Sequence, residues 1–160
     1  MTVNPVGNSA NSMHVAEIDY NHIIDGIYIG TNQCCRMHFD ELLKNKEGIT
    51  ADISLEENHL DMPFGVDFYT WLPTVDHNPS NPDQLALGAS ILKQLAALGH
   101  KVYVHCKNGH GRAPTLVAAY LISKGYTVKD ALDLVKKMRP TIHLWDVQIK
   151  ALDEFKKHID

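Results

Sequence analysis

Basic charge is scarce in this chain. Fifteen Lys and Arg stand against 19 Asp and Glu, a formal net charge of −4 with the ten His counted neutral. With a pI near 6.2 and no basic run, neither a nucleic acid nor an anionic membrane is expected as the main partner. Any field that gathers anions must be local. Long apolar runs are missing too: no stretch approaches the length of a membrane span, so stable membrane insertion is not expected. The stretch Met1 to Ser12 carries neither the basic region nor the apolar segment of a secretory signal. Cysteine is sparse, at Cys34, Cys35 and Cys106. Neighbouring cysteines do not pair readily and an odd count leaves a thiol free, so no disulfide framework is expected and a reducing compartment fits. These absences together predict a soluble, cytoplasmic protein.

What is present is ordinary in bulk and specific in detail. Hydrophobic residues make up 44% and charged ones 21% of 160 residues, one domain's worth of chain with enough apolar surface for a core. Residues 1–16 are small and polar and read as a disordered tail, leaving 17–160 as a single domain. Ile23 to Ile29 is two short apolar runs around Asp25-Gly26, a hairpin signal. Cys35, Phe39, Leu42 and Leu43 share one helical face that Gly48 would end, with Cys34 and Cys35 read as packing residues. Residues 49–55 and 67–73 read as strands, the second closed by Pro73, and 74–81 as a turn-rich loop.

A helix then starts with Asn81 as N-cap, Pro82 at the first position and Gln84 at the third. Its stripe is Leu85, Ala89, Leu92, Leu95 and Ala96, with Gly99 at its end. Val102 to His105 is a strand, and the run after Pro114 is apolar nearly all round, hence a buried helix. Thr127 caps the next helix, stopped by Pro140, and a last one carries Trp145, Ile149, Leu152, Phe155 and Ile159 at steps of three and four. Strands alternating with helices predict an α/β fold: a central, mostly parallel sheet flanked by helices, with a phosphate-binding loop between a strand and a buried helix.

That loop is His105-Cys-Lys-Asn-Gly-His-Gly-Arg112. Strand, tight turn and helix in succession aim backbone N–H groups at one small volume, at the positive end of a helix dipole. Gly109 and Gly111 let the backbone come close to a ligand. Cys106 sits where the field that holds a phosphate also favours a thiolate, and Arg112 offers a planar fork for two phosphate oxygens. Nucleophile, anion cradle and clamp point to phosphoryl transfer through a phosphocysteine. The substrate-binding set is then Lys107, Asn108, Gly109, His110, Gly111 and Arg112, with His105 in a supporting role, fixing the loop and helping to hold the thiolate. A leaving oxygen needs a proton from another segment. Asp76, in a Pro- and Asn-rich loop after a strand, suits that better than Asp83, which a helix's first turn already explains; His77 reads as a turn residue. No pair among the ten His has metal-ligand spacing beside a carboxylate or second cysteine, so no metal is expected.

The run His105-Cys106-x-x-Gly109-x-x-Arg112, with Asp76 thirty positions before the cysteine, resembles the cysteine-dependent protein tyrosine phosphatases. The compact length and element order resemble their dual-specificity branch. The resemblance implies that Cys106 attacks phosphorus while Arg112 and the N–H groups of Lys107 to Arg112 bind the phosphoryl oxygens. It implies that Asp76 protonates the leaving oxygen and then serves as base for water, without a metal or other cofactor. One position departs: the resembled family usually has Ser or Thr directly after the Arg, to stabilise the departing thiolate, and here it is Ala113. The expectation is an enzyme that accumulates phosphocysteine, since Thr115, the nearest hydroxyl, lies a turn further on.

The leading functional expectation is hydrolysis of phosphotyrosine, with phosphoserine and phosphothreonine, in a phosphorylated protein or peptide. Lys107 and His110 resemble the basic loop positions of family members that act on inositol lipids, so a phosphoinositide or other polyanionic phosphate is the alternative. A catalytically silent phosphate-binding module is the third reading, disfavoured by the joint presence of Cys106, Arg112 and Asp76.

Overall fold

The structure, a computed structural model, describes residues 18–32, 39–60 and 65–159. The expected tail at 1–16 and both Cys34 and Cys35 lie outside the described residues. Strands β1 (Tyr20–Ile24) and β2 (Ile27–Gly30) form the expected hairpin. Asp25 and Gly26 turn it with φ of 52° and 75°, the left-handed pair that a two-residue turn between twisted strands requires. Strand β3 (Ala51–Ser54), β4 (Phe68–Trp71) and β5 (Val102–His105) complete a five-stranded sheet of order β1-β2-β5-β3-β4. Among the described residues only the β1–β2 pair is antiparallel; β5 runs parallel to both β2 and β3, and β4 parallel to β3.

Parallel strands must be covered on both faces, and alternation along each strand divides the work. Ile27, Ile29, Val102 and Val104 face the larger core, while Tyr28 and Tyr103 face a smaller one with Phe39, Leu43 and Ile49. The smaller core lies under helix α1 (Phe39–Glu47), which is wound as a π-helix. Gly48 ends it at φ 77°, as its position suggested. The larger core packs α2 (Pro82–Ala97), α3 (Arg112–Ser123), α4 (Val128–Met138) and α5 (Asp146–Ile159). Helix α3 is buried from Arg112 through Ile122, the central helix that its apolar sequence predicts. Asn81 and Gln84 form the reciprocal capping box, and the Thr127 hydroxyl accepts from the Asp130 N–H at 3.0 Å.

The elements expected from the sequence are all present, with two adjustments. Strands β3 and β4 are shorter than the apolar runs that announce them, although Leu72 N–H still bonds Ser54 O at 2.9 Å and Thr74 N–H bonds Leu55 O at 3.2 Å beyond the ladder. In α5 the buried face is Gln148, Leu152 and Phe155, not the full stripe from Trp145 to Ile159. Trp145 precedes the helix and stays 47% exposed, because the cleft it borders is open to water. Among the described residues no helix is long and apolar enough to cross a membrane.

Candidate active site

Strand β5 is central and wholly buried, so the loop that leaves it emerges mid-sheet at the C-terminal edge of the parallel strands. Cys106 lies there, 3% exposed. The carbonyls of the next four residues are all drawn outward. Asn32 N–H donates to Lys107 O (3.2 Å), Arg139 Nη2 to Asn108 O (3.1 Å), Arg139 Nε to Gly109 O (2.9 Å) and His143 N–H to His110 O (3.0 Å). In a planar trans peptide the N–H points opposite the C=O. The N–H groups of Asn108, Gly109, His110 and Gly111 are thereby turned inward, around Cys106. Helix α3 starts next, with Gly111 as its cap and no side chain bonded to its first N–H groups, which leaves the positive end of its dipole facing the same volume. Gly109 has φ 66°, and a Cβ there would come within 2.7 Å of Gly30 O. Only glycine lets the loop lie this close to β2.

Arg112 is 3% exposed and held from one side. Its Nη1 meets Glu56 Oε1 at 2.9 Å and donates to Thr74 O at 3.0 Å and Leu55 O at 3.4 Å. Its buried Nε makes no hydrogen bond and lies 3.4 Å from Asp76 Oδ1. A buried guanidinium with one edge anchored and its Nε facing the Asp76 carboxylate without a hydrogen bond is arranged to receive an oxyanion. Glu56 is itself steadied by Asn32 Nδ2 at 2.8 Å, and Trp71 Nε1 donates to its carbonyl at 2.6 Å. The next residue, Glu57, accepts from the Asp76 N–H at 3.2 Å, and Asp76 Oδ1 accepts from the His77 N–H at 2.9 Å. His77 has φ 63°. Gln148, fully buried, donates to Asn78 O at 3.1 Å and accepts from the Trp145 N–H at 2.9 Å, tying the loop of Asp76 to the start of α5.

Below the loop, His105 is fully buried. Its Nε2 is 3.1 Å from Asp52 Oδ1, its Nδ1 3.2 Å from Asn32 Oδ1, and its ring stacks on Tyr103. The cleft above Cys106 has a volume of about 80 Å³ and is lined by Asp76, Asn108, Arg112 and Gln148 with the rings of His77, His110, His143 and Trp145. Burial, then the Arg139 guanidinium and His143, lowers the pKa of His110 from its ordinary value, which favours the neutral ring. Thr115 Oγ1 donates to Gly111 O at 2.7 Å, which commits the hydroxyl nearest Ala113 to the helix backbone. Among the described residues no group of three or more His, Cys, Asp or Glu is placed to hold a metal ion.

The structure thus brings Cys106, Arg112, Asp76, Asn108, His110 and Gly111 to one cleft, Gly109 backs onto β2 behind it, and His105 lies buried beside Asp52 and Asn32. Lys107 is exposed and does not line it. His77, read as a turn residue, does. Sequence reasoning missed Glu56, Glu57, Gln148 and Arg139. The acidic pair had a signal, two carboxylates directly after a strand in an α/β sheet, where ligands bind. Gln148 stood as a polar residue on an otherwise apolar helix face. Arg139 offered none, since its partners lie more than a hundred residues away at Asp19 and Asn21 as well as in the loop.

Residues 27–158 match the family model described as dual specificity phosphatase, catalytic domain. The human protein named phosphatidylglycerophosphatase and protein-tyrosine phosphatase 1 is 37% identical over 91 residues, 56% of this chain and 42% of that protein. The Arabidopsis thaliana phosphatidylglycerophosphate phosphatase PTPMT2 is 39% identical over 89 residues, 54% of this chain and 39% of its own length. The chain therefore spans about two-fifths of these curated relatives. The crystal structure of PTPMT1 superposes with a TM-score of 0.78 at 28% identity, covering 88% of this chain and 95% of the other. That of PTPMT1 in complex with PI(5)P gives 0.76 at 29%, covering 88% and 97%. With the matched family model running from β2 to the end of α5, the chain belongs to the dual specificity phosphatases, cysteine-dependent enzymes of the protein tyrosine phosphatase superfamily.

Proposed function

We propose that this phosphatase hydrolyses the terminal phosphate monoester of a lipid, with Cys106 as nucleophile, Arg112 as clamp and Asp76 as general acid and base. The ring of inward N–H groups around Cys106 carries the chemistry: it is made by outward donors to four consecutive carbonyls and suits the three equatorial oxygens of a transferring phosphoryl group. The Cys106 thiolate attacks phosphorus as the P–O bond to the leaving group breaks, and Asp76 gives that oxygen its proton. Water then attacks the phosphocysteine and passes a proton to Asp76, inorganic phosphate departs, and the thiolate is restored. The developing charge is met by the N–H groups and by Arg112, whose Nε lies 3.4 Å from Asp76 Oδ1.

The lipid substrate is supported by the relatives, which are named for phosphatidylglycerophosphate, and by the related structure that holds PI(5)P. This reverses the order expected from sequence, where a phosphorylated protein came first. The cleft, about 80 Å³ in volume, takes the phosphoryl group and leaves the bulk of the substrate outside it. Phosphotyrosine remains the second reading, since the human relative is also named for protein tyrosine phosphatase. The test compares phosphatidylglycerophosphate and phosphoinositides in mixed micelles with phosphotyrosine peptides. The expected result is a kcat/KM at least about tenfold higher on a lipid, a margin of about 1.4 kcal/mol, lost entirely in Cys106→Ser. Preference for the peptides overturns the lipid reading.

A further inference from the structure

A larger depression lies beside the phosphate cleft. It measures about 740 Å³ and runs between the start of α2, with the turn before it, and one side of α5. Its walls include Pro79, Leu85, Ala86, Val147, Ala151 and Phe155. Val147 is 51% and Ile159, at the far end, 44% exposed to water. Charged groups on its lining are Asp83, Lys150, Glu154 and His158. A shallow bridge joins groove to cleft: His77 and Trp145 line the cleft and the bridge, and Asn78 and Val147 line the bridge and the groove. The track from Cys106 therefore passes two packed rings, His77 and Trp145 at 4.8 Å, before it turns apolar.

The walls choose among occupants. One long side is α5, the other the start of α2 with the turn of residues 78–81 before it, and among the described residues no strand lines the groove. An extended peptide would find no strand edge there to pair its row of N–H and C=O groups, and groups left unpaired are costly. A hydrocarbon chain has none to pair. From Val147 to Ile159 the α5 wall is about 18 Å long at 1.5 Å per residue, and the volume falls in the range of about 300–1,000 Å³ usual for ligand sites.

We propose that this groove is the subsite for the apolar tail of the substrate: the chain lies along α5 while the phosphate it belongs to sits over Cys106. The inference rests on the lipid reading above and adds to it where the tail goes. The probes are single-chain acyl glycerophosphoglycerophosphates with tails of about four to ten carbons, assayed below their micelle concentrations, where each buried methylene is worth about two- to fourfold in affinity. The wild-type kcat/KM is expected to climb by about that factor per methylene. Ala86→Glu and Val147→Asp, at exposed groove positions, flatten the climb while hydrolysis of p-nitrophenyl phosphate stays within about twofold of wild type. A climb that persists unchanged in both variants, or a flat wild-type series with the lipid still hydrolysed, overturns the groove and leaves the lipid reading standing. A variant that slows only phosphotyrosine peptides overturns it too. Failure to hydrolyse any lipid while phosphopeptides turn over overturns the lipid reading itself, and the groove with it.

Discussion

Replacing Arg139 with Met should unseat the catalytic loop without touching any group that lines the cleft. Arg139 is fully buried and makes four hydrogen bonds: two to the loop carbonyls of Gly109 and Asn108, one to Asn21 Oδ1 at 2.7 Å and one to Asp19 Oδ2 at 3.0 Å. Met fills much of the same volume and donates nothing. The bond to Asp19, whose side chain is 66% exposed, contributes little. The buried carbonyl of Gly109 and the half-buried one of Asn108 each lose a charged donor, at about 1–3 kcal/mol apiece. A loss of about 3 kcal/mol lowers Tm by about 6–12 °C in a domain of this size.

The loop carbonyls would then be free to turn inward, presenting oxygen instead of N–H to the phosphate. A misplacement of about 1 Å is enough to cost on the order of a hundredfold in rate. The assay pairs urea or thermal unfolding with kcat/KM on p-nitrophenyl phosphate, and repeats the unfolding with millimolar phosphate, which raises Tm only if the loop still binds it. Arg139→Lys, able to reach one carbonyl but not fork to two, should fall between. An Arg139→Met protein with wild-type Tm, wild-type rate and an undiminished response to phosphate would refute the account of how the loop is held.

Two further outcomes follow from side chains around the cleft. Ala113→Ser supplies a hydroxyl that Thr115 cannot, because Thr115 is bonded to Gly111 O. The phosphocysteine should then turn over on the order of tenfold faster and the burst with p-nitrophenyl phosphate shrink; an unchanged burst disposes of the idea. His110 has its pKa lowered in the fold from an ordinary 6.5 by burial, Arg139 and His143. The unfolded chain therefore binds the extra proton first, and stability falls as pH drops below about 6.5 towards the lowered value. Urea midpoints at pH 7.5 and 5.5 should lie closer together in His110→Asn than in wild type, and an identical gap would contradict that assignment.

Local chemistry was legible in the sequence and long-range chemistry was not. Asn81 with Gln84, Asp25 with Gly26 and the all-apolar face of α3 each act within a few residues, so spacing alone exposes them. The Cys106 to Arg112 run is likewise contiguous. Glu56 is different: it becomes the partner of Arg112 only because β3 lies beside β5 in register, Ser54 against His105. Arg139 reaches the loop across thirty residues of chain that include the whole of both α3 and α4. Trp145 departs from its expected place for a related reason. Its spacing fits the stripe of α5, yet the helix starts one residue later and the ring serves the cleft rim. The π-winding of α1 carries no sequence signal that these residues reveal.

Glu56 and Glu57 sit on consecutive residues, one steadying the guanidinium and the other the backbone of Asp76. The clamp and the acid proposed above are therefore both held from a single peptide link. On the proposed roles, the spacing between the two carboxylates matters as much as their identity: one residue inserted there should loosen at least one of the two grips.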